Sequence, residues 1–345
     1  MKDPLITICL LTHNSERFLE KSLKSILLQD YPNFEIIISD NQSDDKTEEI
    51  IKSFKNPKIN LRKNIPDIKP GTFYDGCYDN CNGCLKSGLI KGEFVSFCHS
   101  DDVYDKDIFK KQADFLMENP GAGAVFTLGN IIDENDRITR RYKMPKELKG
   151  KKAYEFKDIF NAVLKYGNTF LITPTFMARR EVFEKIGIFY TDGLFGTSAD
   201  LEMWLRIAKK YPIGILENRL INRRSGGAGK KHLHLYTERP GFFKVVDYFL
   251  SKDNLSNKIE KKYLRQYEYQ KHFDDTLRAM NFLIKGDEES AKKLLNRLFS
   301  FNILKAFFEN INMRRIKVFV LRIALFFGIN LGFGKTLSKI LKKYA

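Results

Sequence analysis

Apolar runs broken by short polar loops mark successive strands and helices along the first hundred residues. Leu5-Ile6-Thr7-Ile8-Cys9-Leu10-Leu11 is almost unbroken, as in a strand covered on both faces, and it stops at Thr12-His13-Asn14-Ser15. Phe18, Leu19, Leu23, Ile26 and Leu27 then recur at helical spacing. The unit repeats. Phe34 to Ser39 reads as a strand, Asp40-Asn41-Gln42-Ser43-Asp44-Asp45 as a loop, and Thr47, Ile50 and Ile51 as the next helix. A further strand, Phe94 to Cys98, runs into His99-Ser100-Asp101-Asp102. The order strand, helix, strand, helix predicts a parallel α/β sheet, whose ligands bind outside the carboxyl ends of the strands.

Three polar loops therefore converge on one sheet edge. Asp101 and Asp102 are adjacent carboxylates there, and hard cations such as Mg²⁺ bind through one or two carboxylates plus substrate phosphates. A turn or a helix cap is the structural alternative for the same residues. Asp40 or Asn41 can accept a hydrogen bond from a base or ribose. No Gly-x-Gly-x-x-Gly or Gly-x-x-x-x-Gly-Lys-Ser/Thr run is present, so phosphate charge falls to a metal.

Ile6 to Asn14, Phe18 to Tyr31 and Glu35 to Thr47 resemble, in order, spacing and chemistry, the opening of the family 2 glycosyltransferases. Tyr78 to Asn82, Lys91 to Phe97 and Ser100-Asp101-Asp102 are similar to that family's third block and its metal-binding DxD region, with His99 where the pattern has Asp. The resemblance covers residues 5 to 225. It implies a GT-A fold: a Rossmann-like mixed sheet flanked by helices, acting on a nucleotide-sugar donor carrying uridine diphosphate. Thr12 and Asn14 would line the nucleotide pocket and Asp40 or Asn41 would read the base. Asp101 and Asp102 would divide ribose contact and metal binding, with His99 as a further ligand for Mn²⁺ or Mg²⁺.

An inverting transferase also needs a base for the acceptor hydroxyl and positive charge for the leaving diphosphate. Gly196 to Ala208 resembles the family's Glu-Asp-x-x-Leu-Trp-Leu-Arg segment, with Ala199 in place of the Glu, and implies Asp200 as that base. A first-turn acid that complements the helix dipole is the alternative for Asp200. Glu202 is its rival, and a helix turns it about 200° away. Leu201, Trp204, Leu205 and Ala208 share one face, which assigns Trp204 to the core. Asn222 to His232 reads as a basic, glycine-rich loop able to close over a diphosphate, with Arg223, Arg224, Lys230 and His232 as candidates. Thr173 to Gly187 looks like the family's acceptor-side strand and helix.

A net charge of +16 and a pI near 9.4 call for an acidic partner. From Ser300 to Ala345 the only acid is Glu309, while Arg314, Arg315, Lys317 and Arg322 alternate with apolar residues. That mixture favours an anionic membrane surface over nucleic acid, and the uncharged stretch is too short to span a bilayer. A helical cap on the catalytic domain is the alternative. The expected organisation is a catalytic domain over 1–240, a helical linking region over 241–298 and a basic amphipathic tail over 299–345.

Five cysteines and no leader at Met1-Lys2-Asp3-Pro4 suit a reducing cytosol. The expected location is cytoplasmic, peripheral to the inner face of the cell membrane. The expected task is transfer of a hexosyl or N-acetylhexosaminyl group to a glycan or lipid-linked acceptor. Two other classes compete. Cys77-x3-Cys81-x2-Cys84 has the spacing of an iron–sulfur loop, or of a zinc site completed by His99, although two βα units precede it. Small buried thiols are the plainer reading. A non-catalytic nucleotide-sugar binding protein fits the departures at His99 and Ala199.

Overall fold

The computed structural model describes residues 3–65, 73–225 and 236–344. Two compact units divide the chain, residues 1–227 and 228–345. The first unit runs β1 (Ile6–Thr12), α1 (Leu19–Leu27), β2 (Phe34–Asp40), α2 (Thr47–Ser53), β3 (Ile59–Lys63), α3 (Phe73–Lys86), β4 (Phe94–His99), β5 (Val103–Tyr104) and α4 (Ile108–Glu118). It continues with β6 (Ala124–Ile132), β7 (Ile138–Arg141), β8 (Ala153–Tyr154), α5 (Phe156–Tyr166), β9 (Met177–Arg179), α6 (Arg180–Ile186), α7 (Ala199–Ala208) and β10 (Ile213–Arg224).

The apolar run at the start of the chain becomes the centre of the parallel half of the sheet. β1 is buried at every residue and lies between β2 and β4, parallel to both. Ile6, Ile8 and Leu10 join Leu19, Leu23 and Ile26 of α1 in one core, so the two periodicities of the sequence meet there. Gly92 lets the chain enter β4 beside β1, because a Cβ at that position would stand 2.4 Å from the Thr7 backbone nitrogen.

The strands are ordered β3-β2-β1-β4-β9-β6-β10-β5, with β7 on β6 and β8 on β10. The sheet is mixed, because β9 runs antiparallel to both β4 and β6. A second core packs around Trp204. Its ring stacks on Phe176 at 4.0 Å between centroids and meets Phe126 and Phe189 edge-on, which fixes α7 against the sheet.

The second unit is helical: α8 (Gly241–Ser251), α9 (Lys261–Lys285), α10 (Glu288–Leu294), α11 (Phe301–Phe308), α12 (Met313–Asn330) and α13 (Gly334–Tyr344). Its boundary falls at 227/228, and residues 261–344 share their cores rather than forming a linker followed by a separate tail. Ala279 and Leu283 of α9 pack with Leu325 and Ile329 of α12, and Tyr269 packs with Ile303 and Phe307 of α11. Arg315 and Arg322 are both buried inside. Arg322 donates to the carbonyls of Leu294, Arg297 and Leu298 and to Thr276 Oγ1, and Arg315 donates to the Ala306 carbonyl and Gln266 Oε1.

Trp204→Ala is expected to lower the unfolding free energy by about 3–5 kcal/mol in urea denaturation, the usual range for a large aromatic removed from a core. A loss below about 1 kcal/mol would contradict the packing described.

Candidate active site

Strand register sets the polar loops side by side. Thr12 lies opposite Asp40 across β1 and β2, and Leu11 opposite His99 across β1 and β4. Thr12 Oγ1 donates to Asp40 Oδ1 at 2.8 Å, and Ser43 donates to the same carboxylate through its hydroxyl at 2.6 Å and its N–H at 3.0 Å. Asp40 is thereby engaged in holding its own loop, and Asn41 accepts from Asn64 Nδ2 at 2.9 Å. Asn14 stands at φ +47°, a left-handed conformation that Asn tolerates, and accepts from the Asp44 N–H at 3.0 Å. The two loops are one hydrogen-bonded rim.

Beside that rim, His99, Asp101 and Asp102 bring a ligand atom each within 4.8 Å of one another. Asp102 is 1% exposed. Its Oδ1 accepts the Arg224 backbone N–H at 2.7 Å, while Oδ2 and His99 Nε2 are buried with no hydrogen-bond partner among the described residues. Buried polar atoms are otherwise almost always satisfied, so two orphans facing a second carboxylate fit a divalent cation. Burial, followed by the neighbouring Asp101, pushes Asp102 up to about 7. Burial opposes charge on His99 as well, but Cys77 and the two carboxylates outweigh it and raise the ring to about 9.

Arg224 anchors this turn. Its guanidinium donates to the Asp101 carbonyl at 2.9 Å, to the Asp133 carbonyl at 2.8 Å and to Asp136 Oδ1 at 2.7 Å, and lies 4.1 Å from the Phe18 ring centroid. Asn222, Arg223 and Arg224 are not in a loop, as the glycine-rich pattern suggested. They end β10, paired with β6, and Asn222 also pairs with Val103 of β5. Alternation along the strand buries Arg224 and leaves Arg223 exposed, donating to the Tyr142 hydroxyl at 2.9 Å within the field of Asp102 and Asp101. Lys230 and His232 lie outside the described residues.

Asp200 opens α7. Thr173 Oγ1 donates to its Oδ2 at 2.5 Å and the Leu201 N–H to its Oδ1 at 2.7 Å. Burial raises its pKa despite these bonds, and Cys77 adds to the rise. Glu202 is 1% exposed and held by Arg206 through Nε at 3.0 Å and Nη2 at 2.8 Å, while Arg206 also caps the carbonyls of Ile186 and Ile188. Of the two acids, Glu202 is tied into an ion pair and Asp200, among the described residues, is not.

The cysteines do not form one metal site. Their spacing puts Cys77, Cys81 and Cys84 on one face of α3, but seven residues of helix separate the outer two by about 10 Å along the axis. All are free thiols: Cys84 neighbours Cys9, while Cys81 and His99 beside Cys77 hold its thiol below the ordinary range. Among the described residues the only group of three potential ligands is His99, Asp101 and Asp102. Two neighbours were missed in the sequence reading. Cys77 neighbours His99 and adds to the field that raises Asp200, and Thr173 orients Asp200; a Thr-Pro-Thr turn ahead of a strand was the one available hint.

A hydrogen-bonded polar rim beside a carboxylate pair, with an unpaired carboxylate oxygen buried there, suits group transfer from a diphosphate donor. Residues 7–187, a little over half the chain, match the family model described as Glycosyl transferase family 2. The chain belongs to glycosyl transferase family 2. This family 2 glycosyltransferase is 27% identical over 263 residues to an uncharacterized glycosyltransferase of Methanocaldococcus jannaschii, covering 75% of this chain and 82% of that one. It is 27% identical over 149 residues to the Escherichia coli UDP-Glc:alpha-D-GlcNAc-diphosphoundecaprenol beta-1,3-glucosyltransferase WfgD, covering 43% of this chain and 54% of that protein. The crystal structure of Staphylococcus aureus TarS has the same fold, with a TM-score of 0.57, 19% identity and coverage of 98% of this chain and 90% of that one.

Arg224→Lys keeps the charge and loses the planar fork. It is expected to cost about 2 kcal/mol or more in denaturant unfolding, since each hydrogen bond to a charged group contributes about 1.5–3 kcal/mol. Unchanged stability would show that the clamp is dispensable.

Proposed function

We propose that this chain is an inverting transferase that moves a hexosyl or N-acetylhexosaminyl group from a UDP-sugar to a glycan or lipid-linked acceptor at the cytoplasmic face of the membrane. The observation that carries the reading is the group of His99, Asp101 and Asp102 at the end of β4, where Asp102 Oδ2 and His99 Nε2 are buried with no hydrogen-bond partner among the described residues. A cation-binding edge of this kind suits a diphosphate donor. The E. coli relative is named for a UDP-glucose donor and a diphosphoundecaprenol-linked acceptor, and TarS has been crystallised with UDP. Both support the donor and acceptor classes proposed.

In this reading Thr12, Asn14 and Asn41 frame the nucleotide, with Asp40 bracing the rim. Held by Asp101 and Asp102 with His99, a bound Mn²⁺ or Mg²⁺ supplies positive charge to the diphosphate. Arg223, beside the two carboxylates, adds a guanidinium suited to phosphate oxygens. Asp200 takes the proton of the acceptor hydroxyl as that oxygen attacks the anomeric carbon and the bond from that carbon to the diphosphate oxygen breaks, releasing UDP, and Thr173 fixes the orientation of Asp200.

Asp200→Asn is expected to lower turnover by about 10²- to 10⁴-fold, the usual weight of a general base, with UDP affinity unchanged. Transfer from UDP-sugars to a bacterial lipid-linked glycan fraction is the assay. Full activity in that variant with normal UDP binding would refute the role. A wild type that binds UDP but turns over with no donor and acceptor would instead leave a binding protein as the better reading. The pH profile gives an independent check. Asp200 works only when ionised and burial raises its pKa, so kcat/KM falls as pH drops through a value above the ordinary 3.8. An acid limb at or below 3.8 would contradict the assignment.

A further inference from the structure

α12 is amphipathic in the inverted sense. Its inward face holds Arg315 and Arg322 together with Leu325 and Ile329, all buried. The two guanidinium groups there are satisfied by carbonyls and side-chain oxygens, as described above. Its outward face is apolar from end to end. Met313, Ile316, Val320, Phe327 and, one residue beyond the helix, Leu331 are 37–67% exposed. At 3.6 residues per turn these five fall within a sector about 60° wide. Scattered exposed apolar residues are ordinary, but a stripe running the length of a helix marks an interaction surface.

A second apolar patch lies on α11. On α11, Phe301 and Phe308 are 79% and 66% exposed and line a shallow hollow of about 550 Å³ with Leu304, Lys305 and Glu309. Charge selects the occupant. Residues 300–345 carry nine Lys and Arg against one acid, and that acid, Glu309, is tied to Arg265 at 2.6 Å. Arg314 and Lys317 are exposed on α12 itself, and Lys335 and Lys339 are exposed on α13. A second copy would bring an equally basic surface against this one, at an electrostatic cost. An acidic surface with an apolar interior answers both features. α12 is 18 residues long, about 27 Å, and no helix among the described residues is long and apolar enough to cross a membrane, which suits a helix lying in the interface plane.

We infer that the outward face of α12, with Phe301 and Phe308 of α11, is a docking surface for an anionic lipid bilayer. Its apolar side chains enter the acyl boundary while the surrounding Lys and Arg meet lipid phosphates. The inference gives the membrane part of the proposed function a location and rests on it only for the cellular setting.

The test is co-sedimentation of the full chain with vesicles of phosphatidylglycerol and phosphatidylcholine, and with vesicles of phosphatidylcholine alone. Binding is expected to be at least about tenfold tighter to the anionic vesicles, because each basic residue near such a surface adds attraction. Val320→Glu with Phe327→Glu should weaken it by at least about tenfold, with helix content, melting temperature and UDP affinity unchanged. Phe327→Trp keeps the apolar stripe and should show a blue shift on adding anionic vesicles, against the constant background of buried Trp204. Vesicle binding that survives the double substitution would overturn the inference. A wild-type dimer that the same substitution dissociates, with no vesicle binding, would overturn it in favour of a self-interface. For the unsubstituted chain, no vesicle binding with intact UDP binding fails this inference alone, whereas vesicle binding without UDP binding fails the nucleotide-sugar reading alone.

Discussion

Arg224 ties the last strand of the sheet to the acidic turn at the end of β4. Its backbone N–H takes one oxygen of Asp102, and its guanidinium holds the Asp101 carbonyl together with the Asp133 carbonyl and the Asp136 carboxylate. Because Asp102 is buried, this single N–H leaves the other oxygen in a place where an unpaired charge is costly. The fold therefore presents a carboxylate that gains from a cation. Everything proposed for the donor follows from that constraint, and the rim formed by Thr12, Asn14, Asp40 and Ser43 supplies the rigid frame beside it.

Acids of similar appearance do different work because their surroundings differ. Asp40 and Glu202 are buried and fully bonded, the first by Thr12 and Ser43 and the second by Arg206, and each fixes a local structure. Asp200 has two donors, but burial still raises its pKa, so it keeps the proton affinity a base requires. Asp101 and buried Asp102 repel each other within one turn. Environment separates these roles, and the family pattern merely locates the positions.

The parallel half of the sheet was readable because each strand there is buried on both faces and each helix turns a periodic face inward, so local pattern and tertiary burial agree. The same agreement put Trp204 in the core and Asp101 and Asp102 at a strand end. Agreement fails where long-range pairing decides. Asn222 to Arg224 carry the composition of a loop, and only their ladder with β6 and β5 makes them strand. Cysteine spacing likewise records a shared helix face but not the distance along it. α12 is the clearest case: its sequence shows two apolar sectors, and periodicity alone does not say which one faces inward when the buried side also contains two arginines.

Calorimetric titration of UDP into the full chain, with Mn²⁺ and then with EDTA, tests the central claim about the carboxyl edge most directly. The account predicts binding that requires the metal and is lost in both Asp101→Ala and Asp102→Ala. Binding that is indifferent to EDTA and to both substitutions, or no binding of UDP under any condition, would contradict it.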